Sequence, residues 1–200
     1  MRKQSFKVGL IALLFTSISC TSDNDSNPNP EPNPTNYTLG GVGPAGGRIF
    51  YLDNTNHGYE MAGSLGTAKW QNITSLGQAT NMAGLGTAIG TGEANTNLIV
   101  STLGNGNYAA KLCADYTKNG FSDWFLPSKD ELIKVYNFFN TCGCESINPI
   151  NNYWSSSQGS NAGMAWNTDF MVNVNTTQSN NWTFELQKDQ EVFVLPIRKF

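Results

Sequence analysis

The chain has a single histidine in 200 residues, and that count limits the chemistry open to it. His57 alone cannot build a His-x-x-x-His zinc site or a multi-histidine cage. A serine nucleophile would need it as base, yet it stands in Asn56-His57-Gly58, a turn sequence, and reads as an exposed loop residue. The four cysteines are Cys20, Cys113, Cys142 and Cys144. With Cys20 assigned to lipid, three remain. In an oxidising compartment that odd number points to one bridge, from Cys113 to Cys142 or Cys144, with one thiol left over. A redox or copper pair at Cys142-Gly143-Cys144 is the sharper alternative. The paired acids Asp130-Glu131 are explained by the negative charge favoured at a helix N-terminus.

Two glycine patterns suggest phosphate cradles and fail on context. Gly41, Gly43 and Gly46 spell G-x-G-x-x-G, but a proline-rich stretch precedes them and a strand follows, the reverse of a dinucleotide-binding turn. Gly86, Gly90 and Gly92 are followed by Glu93, where a phosphate-binding loop would carry lysine. The 12 Lys+Arg and 15 Asp+Glu leave a net −3, so no basic field exists to hold nucleic acid. Cleavage of the leader would remove Arg2, Lys3 and Lys7 and make the mature chain more acidic.

Binding has richer material. Between Asn161 and Trp182 stand Asn167, Asn173, Asn175, Asn180 and Asn181, with Asp169, Gln178 and Trp182 among them. Amides offer donor and acceptor side by side, which suits sugar hydroxyls, and an exposed tryptophan face suits the apolar face of a pyranose. This segment is the expected ligand surface. The plainer reading is that asparagine fills turns here, as it fills the stalk.

The elements that would position these residues follow from pattern. Arg2, Lys3 and Lys7 precede an apolar run, Val8 to Phe15, too short to cross a hydrocarbon core about 30 Å thick. Residues 1–19 therefore form a signal peptide. It resembles a bacterial lipoprotein signal in which Cys20 is lipidated and becomes the N-terminus, although Ser17 replaces the usual leucine. The alternative is an ordinary secretory signal cut nearby; either way the protein is exported. Residues 20–36, with prolines at 28, 30, 32 and 34, form a disordered stalk. In polyproline II conformation, at about 3.1 Å per residue, it spans roughly 50 Å. Residues 37–200 fold.

Within them, Arg48–Asp53 reads as a strand. Ala94–Leu103 and Tyr108–Thr117 read as helices, the second stopped by Asn119-Gly120. Ser128 and Glu131 form a capping box opening a helix from about Lys129 to Asn140, with Leu132, Val135, Tyr136 and Phe139 as its core stripe. Met164, Trp166, Phe170, Val172 and Val174 share one parity, Asn167, Asp169, Asn173 and Asn175 the other. Such alternation implies antiparallel strands with a buried face and a polar face. Val192–Ile197 is a buried strand ended by Pro196. The order strand, helices, strands makes the fold α+β.

Five motifs occur in order: Pro44-Ala45-Gly46-Gly47 before Ile49-Phe50-Tyr51; Ser122-Asp123-Trp124-Phe125-Leu126-Pro127-Ser128 before Glu131-Leu132; Tyr153-Trp154-Ser155-Ser156-Ser157; Ala165-Trp166; and Pro196-Ile197-Arg198-Lys199-Phe200. Together, from about Tyr37 to Phe200, they resemble a bacterial domain of unknown function that also forms the C-terminal domain of a collagen-like adhesin. The resemblance implies a C-type-lectin-like fold, with a small antiparallel sheet, paired N- and C-terminal strands and two or more flanking helices. It implies binding rather than catalysis. The adhesin's link to sulfated polysaccharides does not carry over, because this chain has no basic run. Trp166-Asn167-Thr168-Asp169 is similar to the lectin calcium motif but has an inserted Thr168 and no companion carboxylate cluster. No cofactor is therefore expected, and calcium is unsupported. The expectation is a lipoprotein of the bacterial outer membrane, displayed at the cell surface and non-enzymatic, that binds a neutral or polar glycan or protein ligand in adhesion. Two alternatives are a ligand-binding protein diversified by a retroelement and a structural envelope lipoprotein.

Overall fold

The structure, a computed structural model, describes residues 36–142, 151–170 and 182–200, all within the unit that begins at Glu31. The leader, Cys20 and the stalk up to residue 35, Cys144, and Asn173, Asn175, Gln178, Asn180 and Asn181 lie outside the described residues. In chain order the elements are β1 (Arg48–Leu52), β2 (Gly58–Met61), β3 (Thr67–Ala68), α1 (Gly92–Leu103), α2 (Ala109–Asp115), α3 (Lys129–Cys142), β4 (Asn152–Gln158), β5 (Met164–Asp169), β6 (Thr183–Gln187), β7 (Val192–Phe193) and β8 (Ile197–Lys199). The fold is mixed α+β, with the strands in two open sheets ordered β1-β2-β8 and β3-β7-β4-β5-β6.

The first strand and the last share a sheet but do not pair, contrary to the arrangement the resemblance implies: β2 lies between them. The outer edge of β1 is already taken by the chain just before it, where Gly40 N donates to Ile49 O at 2.8 Å and Ile49 N to Gly41 O at 3.0 Å. The free edge of β2 is what remains for β8. The larger sheet is not wholly antiparallel either, since β4 and β7 run parallel at Tyr153 opposite Phe193. The apolar run Val192–Ile197 is divided between the two sheets. Pro196, which has no N–H to give a ladder, sits where the chain passes from β7 to β8.

Helix α3 begins as its capping box requires. Ser128 N donates to Glu131 Oε2 at 2.7 Å, and Glu131 N to Ser128 Oγ at 3.3 Å. Its buried stripe of Leu132, Val135, Tyr136 and Phe138 packs with Phe50, Met61 and Ile197 into one core; Phe139 is only partly buried. A second core gathers Trp70, Ile99, Tyr108, Ala109, Trp154 and Val192 between the larger sheet and helices α1 and α2. Asn119-Gly120 does not stop α2, which ends at Asp115. Both residues have positive φ, 51° and 84°, and they form the tight turn of a Lys118–Phe121 bridge whose two N–H···O bonds are each 3.0 Å.

From Met164 to Asn167 the alternation along β5 is the reverse of the expected one, whereas Phe170 is buried as expected. Ala165 and Asn167 are fully buried, whereas Met164 and Trp166 are half-buried. β5 lies inside its sheet, between β4 and β6, and buries side chains of both parities, Ala165 and Asn167 on one and Thr168 on the other. Side-chain polarity therefore does not mark a wet side. Lys188 is equally buried, its Nζ donating to Thr80 O and Gln158 Oε1 at 3.1 and 2.9 Å and lying 4.2 Å from the Trp70 ring centroid. Burial, with no carboxylate partner among the described residues, pulls its pKa down to about 8.

Gly92 opens α1 against the α3 cap. A Cβ there would overlap Glu131 Oε2 and come within 2.8 Å of Ser128 N and 3.0 Å of Leu126 O. Gly92→Ala should cost about 2 kcal/mol of stability in urea unfolding. Gly63→Ala, with nothing within 4 Å, should be neutral or slightly stabilising. Equal effects at the two sites would contradict this packing.

Candidate functional site

The asparagine-rich face does not assemble among the described residues. Asn167 is fully buried, its Nδ2 donating to Phe184 O at 2.7 Å and its Oδ1 unpartnered. Asp169 is half-buried at the end of β5, where its N–H donates to Trp182 O at 2.6 Å. Trp182 is not an open platform: its ring stacks on Tyr136 at 4.5 Å between centroids and 11° between planes, at the edge of the α3 core. The exposed Asn161 accepts from Gly163 N, closing a local turn. The remaining residues of that face fall outside the described segments.

The cysteines also depart from expectation. Cys113 is a free thiol, fully buried on the inner face of α2, where burial pushes its pKa well up. Cys142 is disulfide-bonded, to a partner outside the described residues. Cys113 faces the core with Trp154 and Ile99 and forms no bridge.

The structure instead brings other residues together, around the carboxylate of Glu60. This side chain projects from β2 and is fully buried. A buried carboxylate is costly unless its oxygens are bonded. Here Ala45 N donates to Oε1 at 3.1 Å, Gly47 N to Oε2 at 2.7 Å, and Arg198 Nη1 to Oε1 at 3.1 Å. The G-x-G-x-x-G turn is thus an anion cradle, but for a carboxylate of the same chain. Cβ atoms on Gly43 and Gly47 would stand 2.5 and 2.8 Å from Glu60 Oε2. Arg198, itself buried, divides its guanidinium between Glu60 and Asp123, with Nε 2.5 Å from Asp123 Oδ1 and Cζ 4.1 Å from the Phe121 ring centroid.

Asp123 carries the network to the surface, where its side chain is 53% exposed on the wall of a cleft of about 490 Å³. Phe125 and Phe200 supply the apolar wall, Asp53 and His57 the β1–β2 turn, Glu93 the first turn of α1, and Lys199 the end of β8. Phe125 is fixed by reciprocal 2.9 Å backbone bonds with Ile197. In the β1–β2 turn, Asp53 Oδ1 accepts from Thr55 N and Oγ1, each at 2.7 Å, and from His57 N at 3.1 Å. The Thr55 hydroxyl bond leads in holding the Asp53 carboxyl below its ordinary pKa. Thr55 Oγ1 also lies 3.0 Å from His57 Nδ1. A hydroxyl has one proton, and this one is directed to Asp53, so the imidazole meets its lone pair. A nucleophile relay would set the carboxylate on the imidazole.

Sequence reasoning placed His57 correctly in a turn and missed the rest of the cleft. Three of the five motifs behind the resemblance nevertheless meet here, through Ala45 and Gly47, through Asp123 and Phe125, and through Arg198 and Lys199. Among the described residues no group of three or more His, Cys, Asp or Glu side chains is arranged to hold a metal ion. Neither the protein-family models nor the curated proteins compared with this chain give a match.

Without reductant, iodoacetamide should leave the Cys113 peptide unlabelled in the native protein and label it after unfolding in guanidinium, read by mass spectrometry. A Cys113 that stays unlabelled after unfolding would instead be bridged.

Proposed function

We propose that the folded unit is a non-catalytic, C-type-lectin-like module of an exported lipoprotein, anchored through Cys20 in the outer membrane, and that it binds a small polar glycan in the cleft between the β1–β2 turn, α1 and β8. The cleft carries this reading. Its volume of about 490 Å³ lies within the range typical of small-molecule sites, about 300–1,000 Å³. Its wall combines what a sugar needs, carboxylate acceptors for hydroxyls and phenyl surface for the apolar face of a ring. Its back is made rigid by the buried Glu60–Arg198 pair, so ligand binding would order little further. The convergence of Asp53 and His57 on one hydroxyl favours recognition over nucleophilic catalysis.

The anchor and stalk complete the reading. A proline-spaced tether behind a lipidated cysteine would hold such a cleft clear of the membrane, where adhesion to a neighbouring surface needs it.

A glycan array probed with the purified full-length protein in detergent tests the proposal. It should give a saturable signal. The double variant Glu93→Gln/Asp53→Asn, at two exposed positions, should lower that signal about tenfold or more with an unchanged melting temperature. A signal indifferent to the double variant would move the site elsewhere, and no saturable signal would overturn glycan binding.

A further inference from the structure

The cleft has a sign as well as a shape. Asp53, Glu93 and Asp123 stand on its wall against one ammonium, Lys199. The guanidinium behind them does not restore the balance, because Arg198 is shared between Asp123 and the buried Glu60. Glu93 and Lys199 form no ion pair with any described residue. The hydrogen bonds to Asp53 all go to Oδ1, and Arg198 holds Asp123 by Oδ1. Among the described residues, one oxygen of each of these two carboxylates therefore has no donor.

Behind the wall Tyr59 is more than nine-tenths buried. Burial, and then the charges of Glu131, Tyr51 and Glu93, raise its pKa to about 12. Its ring lies 6.5 Å from that of Phe125, which faces the cleft.

We propose that this cleft selects a sugar carrying a free primary ammonium group, an unacetylated amino sugar, over its acetylated and neutral counterparts. The inference rests on the glycan-binding reading above and adds the charge of the ligand. An ammonium offers three donors and no acceptor, the complement of carboxylate oxygens that lack donors. The half-buried Phe200 adds ring surface that attracts a cation as well as an apolar sugar face. Acetylation removes the charge and two of the donors. Lys199 competes with the ligand's cation, so its position fixes the sign of a test that general stickiness would not reproduce.

The probes are three trimers with the same β-1,4 backbone, of glucosamine, N-acetylglucosamine and glucose, with lysine amide as an ammonium without a sugar ring. Binding to the full-length protein is measured by calorimetry at mildly acid pH and low salt. The glucosamine trimer should bind about tenfold tighter than the other two trimers and than lysine amide. That margin should shrink as salt is raised. Glu93→Gln should weaken the glucosamine trimer selectively, and Lys199→Ala should tighten it. Equal affinity for all three trimers, lost together in Glu93→Gln, would overturn ammonium selection and leave glycan binding standing. Lysine amide binding as tightly as the glucosamine trimer would overturn the requirement for a sugar. Failure of all four probes would overturn the ammonium proposal, and a blank glycan array would take the broader reading with it.

Discussion

A carboxylate fully removed from water, Glu60, is the constraint around which the N-terminal turn, the small sheet and the end of the chain are arranged. Left unpartnered it would destabilise the fold by several kcal/mol, so each neighbour has to supply a donor or make room. Ala45 and Gly47 give backbone N–H groups, Gly43 and Gly47 leave the space that a Cβ would fill, and Arg198 brings the opposite charge from β8. Pairing β8 with β2 places Arg198 directly opposite Glu60 in the ladder. Strand order and ion pair therefore support one another.

Glu131 repeats the arrangement at the second glycine-rich turn. Gly90 N donates to its Oε1 at 2.8 Å and Ser128 N to its Oε2 at 2.7 Å, while Gly92 is held so close that a side chain would not fit. Burial raises its pKa, and the backbone donors partly offset that rise. Both glycine patterns that look like phosphate cradles are thus filled by the protein's own acids. Glu93 follows the second of them by one residue, and Asp123 is tied to Glu60 through Arg198, so two lining residues of the cleft each stand beside the surroundings of a buried carboxylate.

What could be read from the sequence was what is local in it. The capping box spans four residues and sets the start of α3 correctly; β1 shows its β-branched and aromatic residues within a short window. The site was hidden because its bonds are distant. Glu60 meets Ala45 across 15 positions and Arg198 across 138, and no spacing rule connects them. A charged residue within the short buried strand Gly58–Met61, together with glycines that had no nucleotide to serve, was the available signal. The β5 alternation misled for a different reason: Asn167 satisfies its amide on Phe184 O inside the sheet, and Trp166 is left half-covered with Lys129 Nζ 3.9 Å from its ring centroid. Polarity tracks solvent only where a sheet has a wet face.

The dependence of the fold on the buried pair is measured most directly by a double-mutant cycle. Glu60→Gln, Arg198→Met and the double variant would be unfolded in urea beside the unaltered protein. A coupling of about 2 kcal/mol, with the double variant destabilised by much less than the two single changes together, is the predicted result. Additivity within about 0.5 kcal/mol would mean that Glu60 and Arg198 are stabilised independently, and would contradict a fold built around their contact.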